Sequence, residues 1–416
     1  MKKHERSCKR IVIKYGGASL ANHTLLSKAV TTVTKEVAKG TQIIVVVSAI
    51  GKTTDLLLNT AKNTSNGKVG KKELDDILAM GERTSIRIFA AALKANGIKS
   101  RYFDPLDPDW PIITDATFSN ANPLLEECEE RIKRHVLPLV ENGIIPVIAG
   151  FVGKTLDQKI TTLGRGGSDA TAFILAEALA ADEVVLVTSV NGIMSADPKI
   201  ITNPRKLRRI DVNTLTGIAD SGTKFIHRKA LRYKSPLVNV RVINHNQDLN
   251  STGTLITGAL STYLDVVLAC KSPAMSITVV GCGVSEKPEI VLELTKTVKA
   301  HASLLGMSLN YDSIILYVSE NGNYSSLLEK VHEKVLKHDE TIAMSVRKNL
   351  AFLKVKGVGL EETPGIIGRI SEVLRFNDIN IFGILTITSS ILLFVDWDKQ
   401  KKVQKLIRKS LWRNEQ

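Results

Sequence analysis

The sequence predicts an α/β protein, in which an open, mostly parallel sheet is sandwiched by helices and is followed by two smaller α+β units. From Arg10 onward, apolar strands, glycine-containing loops and helices alternate, as they do in open parallel sheets. The run T-T-L-G-R-G-G-S-D-A-T-A at residues 161–172 is a glycine loop that opens a helix. Beyond about residue 264 the elements become shorter and their order changes. These observations indicate a large α/β part and a separate α+β part.

The α/β part is expected to contain buried parallel strands, because unbroken apolar runs such as Q-I-I-V-V-V at 42–47 suit a sheet covered on both faces. Helices are predicted where apolar residues recur at spacings of three and four. A glycine inside a predicted helix, Gly81, costs about 1 kcal/mol relative to alanine, so another factor should favour it there. The predicted strands are 10–14, 42–47, 144–152, 183–187 and 237–243, and the predicted helices are 22–39, 74–93, 123–142 and 172–181.

The α+β part reads as two units of β-α-β-β-α-β type, a repeat of about 70 residues. Its predicted strands are 266–268, 275–280, 313–318, 350–355 and 389–395, and its predicted helices are 290–302, 325–338, 366–376 and 401–411.

Composition narrows the class of protein. The 416 residues suffice for two or three domains. The net charge of +14 is concentrated near the chain ends, and little basic–aromatic interleaving occurs, so nucleic acid is not an expected partner. No apolar run approaches the length of a membrane span, so a membrane is not an expected partner either. The apolar run 11–13 is too short for a signal-peptide core. Four widely separated cysteines form no C-x-x-C pair, which predicts no metal site and free thiols in the cytoplasm.

The glycine loop at 161–172 predicts an anion site. Arg165 stands between Gly164 and the pair Gly166 and Gly167, and the helix after it would offer unpaired N–H groups to an anion. Ser168 or Asp169 is expected to cap that helix. An arginine fixed among glycines is more than capping requires, and its guanidinium suits a carboxylate.

Lys14 ends the first predicted strand, just before Gly16 and Gly17. A lysine there can span the β- and γ-phosphates of a nucleotide while glycine N–H groups hold the phosphoryl oxygens. Taken alone, Lys14 fits a solvated strand end equally well. The sequence lacks a P-loop motif and G-x-G-x-x-G, which argues against P-loop enzymes and Rossmann dehydrogenases. His227 stands alone and is expected to pack or cap rather than to catalyse.

Several motifs, in order along nearly the whole chain, resemble the aspartokinases of the amino acid kinase family. The most specific is T-T-L-G-R-G-G-S-D at 161–169. Supporting motifs are K-Y-G-G-A-S at 14–19, S-A at 48–49, T-D at 54–55, G-E-R at 81–83, G-I at 192–193, A-D-P at 196–198 and G-T-K at 222–224, followed by His227. The two carboxy-terminal units resemble the ferredoxin-like ACT domains of that family. Because one ACT unit is often inserted into the other in that family, the resemblance implies that residues near Val266 pair with strands beyond residue 340. The resemblance implies an amino acid kinase catalytic domain at 1–262, a first ACT-like unit at 263–340 and a second at 341–416.

The resemblance also implies phosphorylation of the L-aspartate side-chain carboxylate by ATP with Mg²⁺. The product would be 4-phospho-L-aspartate, on the way to lysine, diaminopimelate, threonine and methionine. Lys14 and Asp169 would be catalytic, Arg165 would hold the α-carboxylate and Glu82 would lie near the ammonium. The implied aspartate-binding residues are Ser48, Thr54, Glu82, Arg165 and Ser168, and the implied nucleotide-binding residues are Lys14, Gly16, Gly17, Thr188, Ser189, Met194, Lys199, Lys224 and Phe225.

The sequence departs from the family pattern on the nucleotide side. Ser189 stands where the family usually has aspartate, Met194 where it has tyrosine and Lys199 where it has arginine. Two alternatives therefore remain open. One is a non-catalytic, amino-acid-sensing protein on a kinase fold, although the intact Lys14 and Arg165 weigh against it. The other is a kinase for another amino acid, such as glutamate or acetylglutamate, which would not be expected to carry G-E at 81–82 with two ACT-like units.

The ACT-like units imply regulation by a feedback amino acid, lysine or threonine, and a homodimer paired through ACT edges. The implied effector residues are Asp378, Asn380 and Ile381 in the second unit. A plain buried strand is an equally good interpretation of that stretch.

Overall fold

A computed structural model describes residues 8–197, 200–219, 226–260, 265–320, 324–357, 360, 365–387 and 390–412. The chain forms two compact units, Met1–Leu260 and Ser261–Gln416. Among the described residues, every helix is either too short or too polar to pass through a lipid bilayer.

The first unit is built on an eight-stranded sheet with the strand order β3-β4-β2-β1-β7-β9-β10-β8. Among its described strands, β9 and β10 alone pair antiparallel, so the predicted mostly parallel sheet is confirmed. The strand β1 is central, and Lys14 near its end lies opposite Val46 of β2 and Leu186 of β7. The strands are β1 Arg10–Tyr15, β2 Gln42–Val47, β3 Ser100–Phe103, β4 Ile145–Ala149, β7 Glu183–Thr188, β8 Arg209–Asp211, β9 Asn239–Asn244 and β10 Thr254–Thr257, and a separate hairpin pairs β5 Val152–Lys154 with β6 Ile160–Thr162.

Helices accompany this sheet and share a core with it. Apolar side chains of the central strands, among them Val12, Val45 and Val184, are fully buried in that core. Their burial explains why these strands are unbroken apolar runs. The helices are α1 His23–Val37, α2 Thr53–Thr64, α3 Lys71–Ala95, α4 Leu125–Arg131, α5 Leu137–Glu141, α6 Gly167–Ala178, α7 Val212–Ala219 and α8 Arg228–Leu231.

Several local predictions for the first unit were wrong. The helix predicted at 172–181 begins earlier, at Gly167, and its N-cap is Gly166 with φ +78°, not Ser168 or Asp169. Both side chains lie inside the first turn and bond to other segments of the chain. The helix predicted at 123–142 is interrupted by a π-helical turn at Ile132–Val136, and α2 was not predicted.

The second unit is a seven-stranded antiparallel sheet with the path β13-β14-β12-β15-β17-β16, to which β11 adds by pairing with β15. The expected pairing near Val266 is confirmed, because Val266 lies opposite Val355. The edge strands β13 and β16 were not predicted, and β15 is much longer than expected. The strands are β11 Asp265–Leu268, β12 Ala274–Gly281, β13 Leu304–Asn310, β14 Ser313–Ser319, β15 Thr341–Lys356, β16 Gly383–Ile387 and β17 Ser390–Asp396.

Four helices pack on the sheet of the second unit in two pairs, α9 Pro288–His301 with α10 Tyr324–Lys337 and α11 Ile366–Arg375 with α12 Gln400–Trp412. Each pair covers its own buried cluster, so the two predicted ferredoxin-like α+β units are confirmed. The strand β15 contributes to both clusters, through Met344 and Val346 in one and Leu353 and Val355 in the other.

Candidate active site

A cavity of about 320 Å³ opens where β1 and β2 end, at the carboxyl edge of the first sheet. Ligands of open parallel sheets bind at this edge, because loops from neighbouring strands converge there. Seven residues that the sequence assigned to catalysis or to aspartate meet in this cavity. Its lining consists of Lys14, Ser48, Thr54, Glu82, Phe151, Gly164, Arg165, Gly166, Gly167, Ser168 and Asp169.

Lys14 and Asp169 form an ion pair at the wall of the cavity. The Nζ of Lys14 lies 2.7 Å from Oδ1 of Asp169, and both side chains are largely buried. Lys14 comes from β1, and Asp169 comes from the first turn of α6, where the helix dipole favours a carboxylate. The pair therefore fixes a cation at the end of the central strand.

Glu82 lies in the wall on α3 and is only 3% exposed. Its Oε1 accepts a hydrogen bond of 3.0 Å from the Ala49 N–H, whereas Oε2 is buried without a partner among the described residues. Burial raises the pKa of Glu82 to about 7, because an ionised carboxylate is poorly solvated there. A cation arriving in the cavity would satisfy Oε2 and favour the ionised form.

Gly81 explains how α3 comes close enough for this bond. A Cβ at position 81 would lie 2.8 Å from the Cβ of Ala49, closer than carbon atoms pack. The glycine inside the helix, costly by propensity alone, is thus required by the close approach of α3 to the loop after β2.

Arg165 stands on a loop whose backbone is set by glycines on either side. Gly164 and Gly166 have φ values of +74° and +78°, which side chains with a Cβ rarely adopt. Arg165 itself is exposed, and its guanidinium makes no hydrogen bond or ion pair within the described part of the chain. It is therefore available to an anion in the cavity.

Hydroxyl groups complete this part of the site. The Oγ of Ser48 lies 3.0 Å from the Oγ of Ser168, and Thr54 lines the cavity from the first turn of α2. Gly150 permits this arrangement, because a Cβ there would lie 2.7 Å from the side chain of Ser168.

The glycines after β1 differ from each other. The N–H of Gly16 donates to the Val187 carbonyl at 3.1 Å, whereas the N–H of Gly17 has no acceptor among the described residues. A Cβ on Gly17 would lie 2.7 Å from the Ala49 carbonyl oxygen. Within the described residues, the Gly17 N–H is thus the one of these two backbone donors that is left for a phosphate.

Of the other residues assigned to the nucleotide, those that the structure describes do not line the cavity. Thr188 ends β7 beside β1, Ser189 follows it on the surface and Met194 is half-buried in a bridge with Lys206. Lys199, Lys224 and Phe225 lie outside the described residues.

The stretch assigned to an effector is a turn after α11, not a strand. Asp378 has φ +53°, Asn380 is exposed and Ile381 is half-buried. The neighbouring Ile379 packs into the core of the second unit.

One residue that lines the cavity, Phe151, escaped sequence reasoning. Its φ is +68°, and the only sequence signal for this conformation was the glycines on either side of it.

His227 is confirmed as a capping residue, because its Nδ1 accepts from the Lys229 N–H at 3.3 Å. In the described residues, no group of three or more His, Cys, Asp or Glu side chains is arranged to hold a metal ion.

The chain is similar to known proteins in its sequence and in its fold. The model of the amino acid kinase family matches residues 9–244. The aspartokinase of Geobacillus stearothermophilus is 32% identical over 89% of this chain and 89% of its own length. Aspartate kinase from Synechocystis has a similar fold, with a TM-score of 0.74 at 22% identity over 96% of this chain and 69% of that chain.

Escherichia coli aspartokinase III resembles the chain in two solved complexes. The complex with aspartate and ADP has a TM-score of 0.55 at 20% identity, covering 97% of this chain and 100% of that chain. The complex with lysine and aspartate has a TM-score of 0.52 at 21% identity, covering 97% and 99%. These structures agree with the fold described above.

Proposed function

Because the chain belongs to the amino acid kinase family and, within it, to the aspartokinases, we propose that the cavity at the end of β1 is where it phosphorylates L-aspartate. The reaction transfers the γ-phosphoryl group of ATP to the side-chain carboxylate and yields 4-phospho-L-aspartate. This is the first step towards lysine, diaminopimelate, threonine and methionine. The observation that carries the assignment to this cavity is the Lys14–Asp169 ion pair, which shares the cavity with Arg165.

Aspartate is held by its two α-substituents. The Arg165 guanidinium binds the α-carboxylate, since its two-pronged donor set matches a carboxylate and it has no partner of its own in the described chain. The free Oε2 of Glu82 receives the α-ammonium. Ser48, Thr54 and Ser168 surround the remaining polar atoms with hydroxyl groups. The side-chain carboxylate is thereby directed towards Lys14.

Phosphoryl transfer between two anions depends on positioning and on neutralising charge. Lys14 stabilises the negative charge that spreads over the transferring group, and Asp169 holds the lysine in place. The free N–H of Gly17 donates to a phosphate oxygen.

ATP lies along the end of β7, next to the end of β1. The proposed contacts are made by Gly16, Gly17, Thr188, Ser189 and Met194, together with Lys199, Lys224 and Phe225. The position of Thr188 beside β1 supports this direction, and the presence of ADP in the E. coli aspartokinase III complex supports the nucleotide.

Mg²⁺ fits the chemistry of this site. Mg²⁺ usually keeps several waters and binds through substrate phosphates with one or two carboxylates rather than in a protein cage. Glu82 and Asp169 are the carboxylates that line the cavity in the described part of the chain, and Asp169, beside Lys14, is the one that would hold the ion. When bound, the ion neutralises phosphate charge.

The second unit is proposed to regulate the first. The proposed bounds along the sequence are a catalytic domain at 1–262, a first ACT-like unit at 263–340 and a second at 341–416. Lysine, which is bound in one E. coli aspartokinase III complex, is the proposed effector, with threonine as the alternative. The turn that holds Asp378, Asn380 and Ile381 is its proposed contact. The unpaired edges of β13 and β16 support a homodimer through these units. Among the described residues the cysteines form no disulfide, which supports a cytoplasmic location.

The test is to incubate the purified protein with Mg-ATP and L-aspartate and to trap the acyl phosphate with hydroxylamine. Hydroxamate is expected with aspartate, and not with glutamate or acetylglutamate, and it is expected to decrease when lysine is added. Hydroxamate with glutamate or acetylglutamate instead would reassign the acceptor. Binding of aspartate or lysine without any hydroxamate would favour the amino-acid-sensing alternative.

A further inference from the structure

The loop that carries Arg165 is held on one side by a buried carboxylate. Asp75 on α3 is fully buried and accepts four hydrogen bonds. Two come from the N–H and hydroxyl of Thr162, at 2.9 and 2.8 Å. The other two come from the N–H and hydroxyl of Ser119, at 2.7 and 3.2 Å. Asp75 therefore joins two segments, the one at Thr162 just before the Arg165 loop and the irregular one at Ser119.

A buried ammonium joins the same two segments at adjoining residues. The Nζ of Lys229 on α8 donates to the Leu163 carbonyl at 2.8 Å. It also donates to the carbonyl and side-chain oxygens of Asn120, at 3.1 and 2.7 Å, and to the Ala121 carbonyl at 3.0 Å. Lys229 is only 9% exposed. These four acceptors are neutral oxygens, and they belong to the segments 120–121 and 162–163.

The two segments also contact each other directly. The Ala121 N–H donates to the Thr162 carbonyl at 2.9 Å. A Cβ on Gly164 would lie only 2.8 Å from the Oδ1 of Asn120. Asn120, which accepts hydrogen bonds from Lys229, thus packs against Gly164, the glycine that precedes Arg165.

We propose that Lys229 and Asp75 are positioning residues for Arg165, which together set the affinity for the α-carboxylate of aspartate. This inference rests on the proposed role of Arg165 in binding that carboxylate. Neither residue lines the cavity, and both act through the backbone of 162–164. Because Arg165 is exposed and has no partner in the described chain, the orientation of its guanidinium depends on the loop beneath it.

Charged groups suit this task because their hydrogen bonds are stronger than those between neutral groups. A buried charge also makes any opening of the two segments costly, since its partners would be lost in a poorly solvated place. An error of about 1 Å in the position of a binding group can reduce turnover by two orders of magnitude. A small displacement of residues 162–164 would therefore move Arg165 and weaken the binding of aspartate.

The first test is Lys229→Met, which keeps the length of the side chain and removes its donors. We expect the aspartate KM to rise about tenfold or more, because the Arg165 loop is released. The KM for ATP is expected to stay within about twofold, since the acceptors described for Lys229 lie in the segments 120–121 and 162–163 and not at the end of β7. Equal changes in both KM values would overturn the proposal.

Lys234→Met is the matched control. Lys234 is 3% exposed, and its ammonium also donates to backbone carbonyls, those of Ser235, Val238 and Gly258, none of which belongs to the Arg165 loop. This variant should lose thermal stability to a similar degree without changing the aspartate KM. Should both lysine variants raise the aspartate KM alike, loss of stability would account for the effect and the proposal would fail.

A double-mutant cycle separates positioning from other effects. If Lys229 acts through Arg165, Lys229→Met should change the aspartate KM by less than about twofold once Arg165→Ala is present. Additive effects would contradict the proposal. Asp75 and Lys229 both hold the segments 119–121 and 162–163 together, and we call this pair of residues the clamp. Should Lys229→Met fail to fold, Asp75→Asn weakens the other half of the clamp and is subject to the same expectations.

Hydrogen exchange tests the clamp without any substrate. In the ligand-free protein, Lys229→Met should speed amide exchange at residues 162–167, whereas Lys234→Met should not. Unchanged exchange would overturn the clamp itself. If exchange responds while the wild-type protein makes no hydroxamate from aspartate, the clamp stands and the proposed function fails.

Discussion

The Nζ of Lys14 lies 2.7 Å from Oδ1 of Asp169, so the end of the central strand is tied to the first turn of the helix that follows the Arg165 loop. The pair brings together two segments separated by more than a third of the chain. Because an ion pair restrains the long lysine side chain, the cation is in place before a phosphate arrives.

Lys14→Ala should lower kcat by about two to three orders of magnitude or more, because a cation aimed at the transferring group is lost. Hydroxamate formation at saturating aspartate and ATP measures this. Lys39→Ala is the control, since Lys39 also forms a 2.7 Å ion pair, with Glu36, but its side chain is half exposed and does not line the cavity. Its kcat should remain within about twofold of the wild-type value. Retention of wild-type kcat in Lys14→Ala would contradict the assignment.

Arg165→Ala should raise the aspartate KM by about two orders of magnitude while the ATP KM changes little, because a carboxylate loses its bidentate partner. Arg165→Lys should restore only part of the affinity, since an ammonium is a point charge without the planar fork. Initial rates against aspartate at fixed ATP measure both variants. A lysine variant equal to the wild type would show that charge alone matters at this position.

Glu82 predicts a pH dependence of aspartate binding. Its pKa of about 7 in the ligand-free protein means that it is largely protonated below pH 7 and ionised above it. The ionised form is the one that attracts the substrate ammonium, so the aspartate KM should fall as pH rises from 6 to about 8. In Glu82→Gln, which retains an acceptor for the Ala49 N–H, the KM should be high and should lack this step. A step that survives in Glu82→Gln would assign the titration to another group.

The sequence predicted the elements whose patterns are local. The strand β2 is an unbroken apolar run because it is buried on both faces, and that pattern needs no partner to be recognised. The edge strands β13 and β16 were missed because they are interrupted by Gly306 or begin at Gly383 and are partly exposed. Edge strands pack on one side only, so their sequences carry a weaker signal.

The site was predictable as a set of residues, but its geometry was not. The ends of parallel strands meet at one edge, which is why Lys14 and Ser48 could be assigned to the same site as the glycine loop. The clamp made by Asp75 and Lys229 joins segments far apart in sequence, and no local pattern marks such contacts. The left-handed backbone of Phe151 likewise depends on tertiary packing.

Gly81→Ala should weaken aspartate binding even though alanine favours a helix by about 1 kcal/mol. The added Cβ would lie 2.8 Å from the Cβ of Ala49, whose N–H holds the Glu82 carboxylate, so α3 must shift and Glu82 moves with it. The aspartate KM should rise and the melting temperature should fall. Gly368→Ala is the matched control, because Gly368 also lies inside a helix, α11, and a Cβ there would meet no atom of the described residues within 4 Å. That variant should gain up to about 1 kcal/mol of unfolding free energy. If Gly81→Ala behaved like Gly368→Ala in melting and in aspartate KM, the close approach of α3 would not be what requires a glycine at position 81.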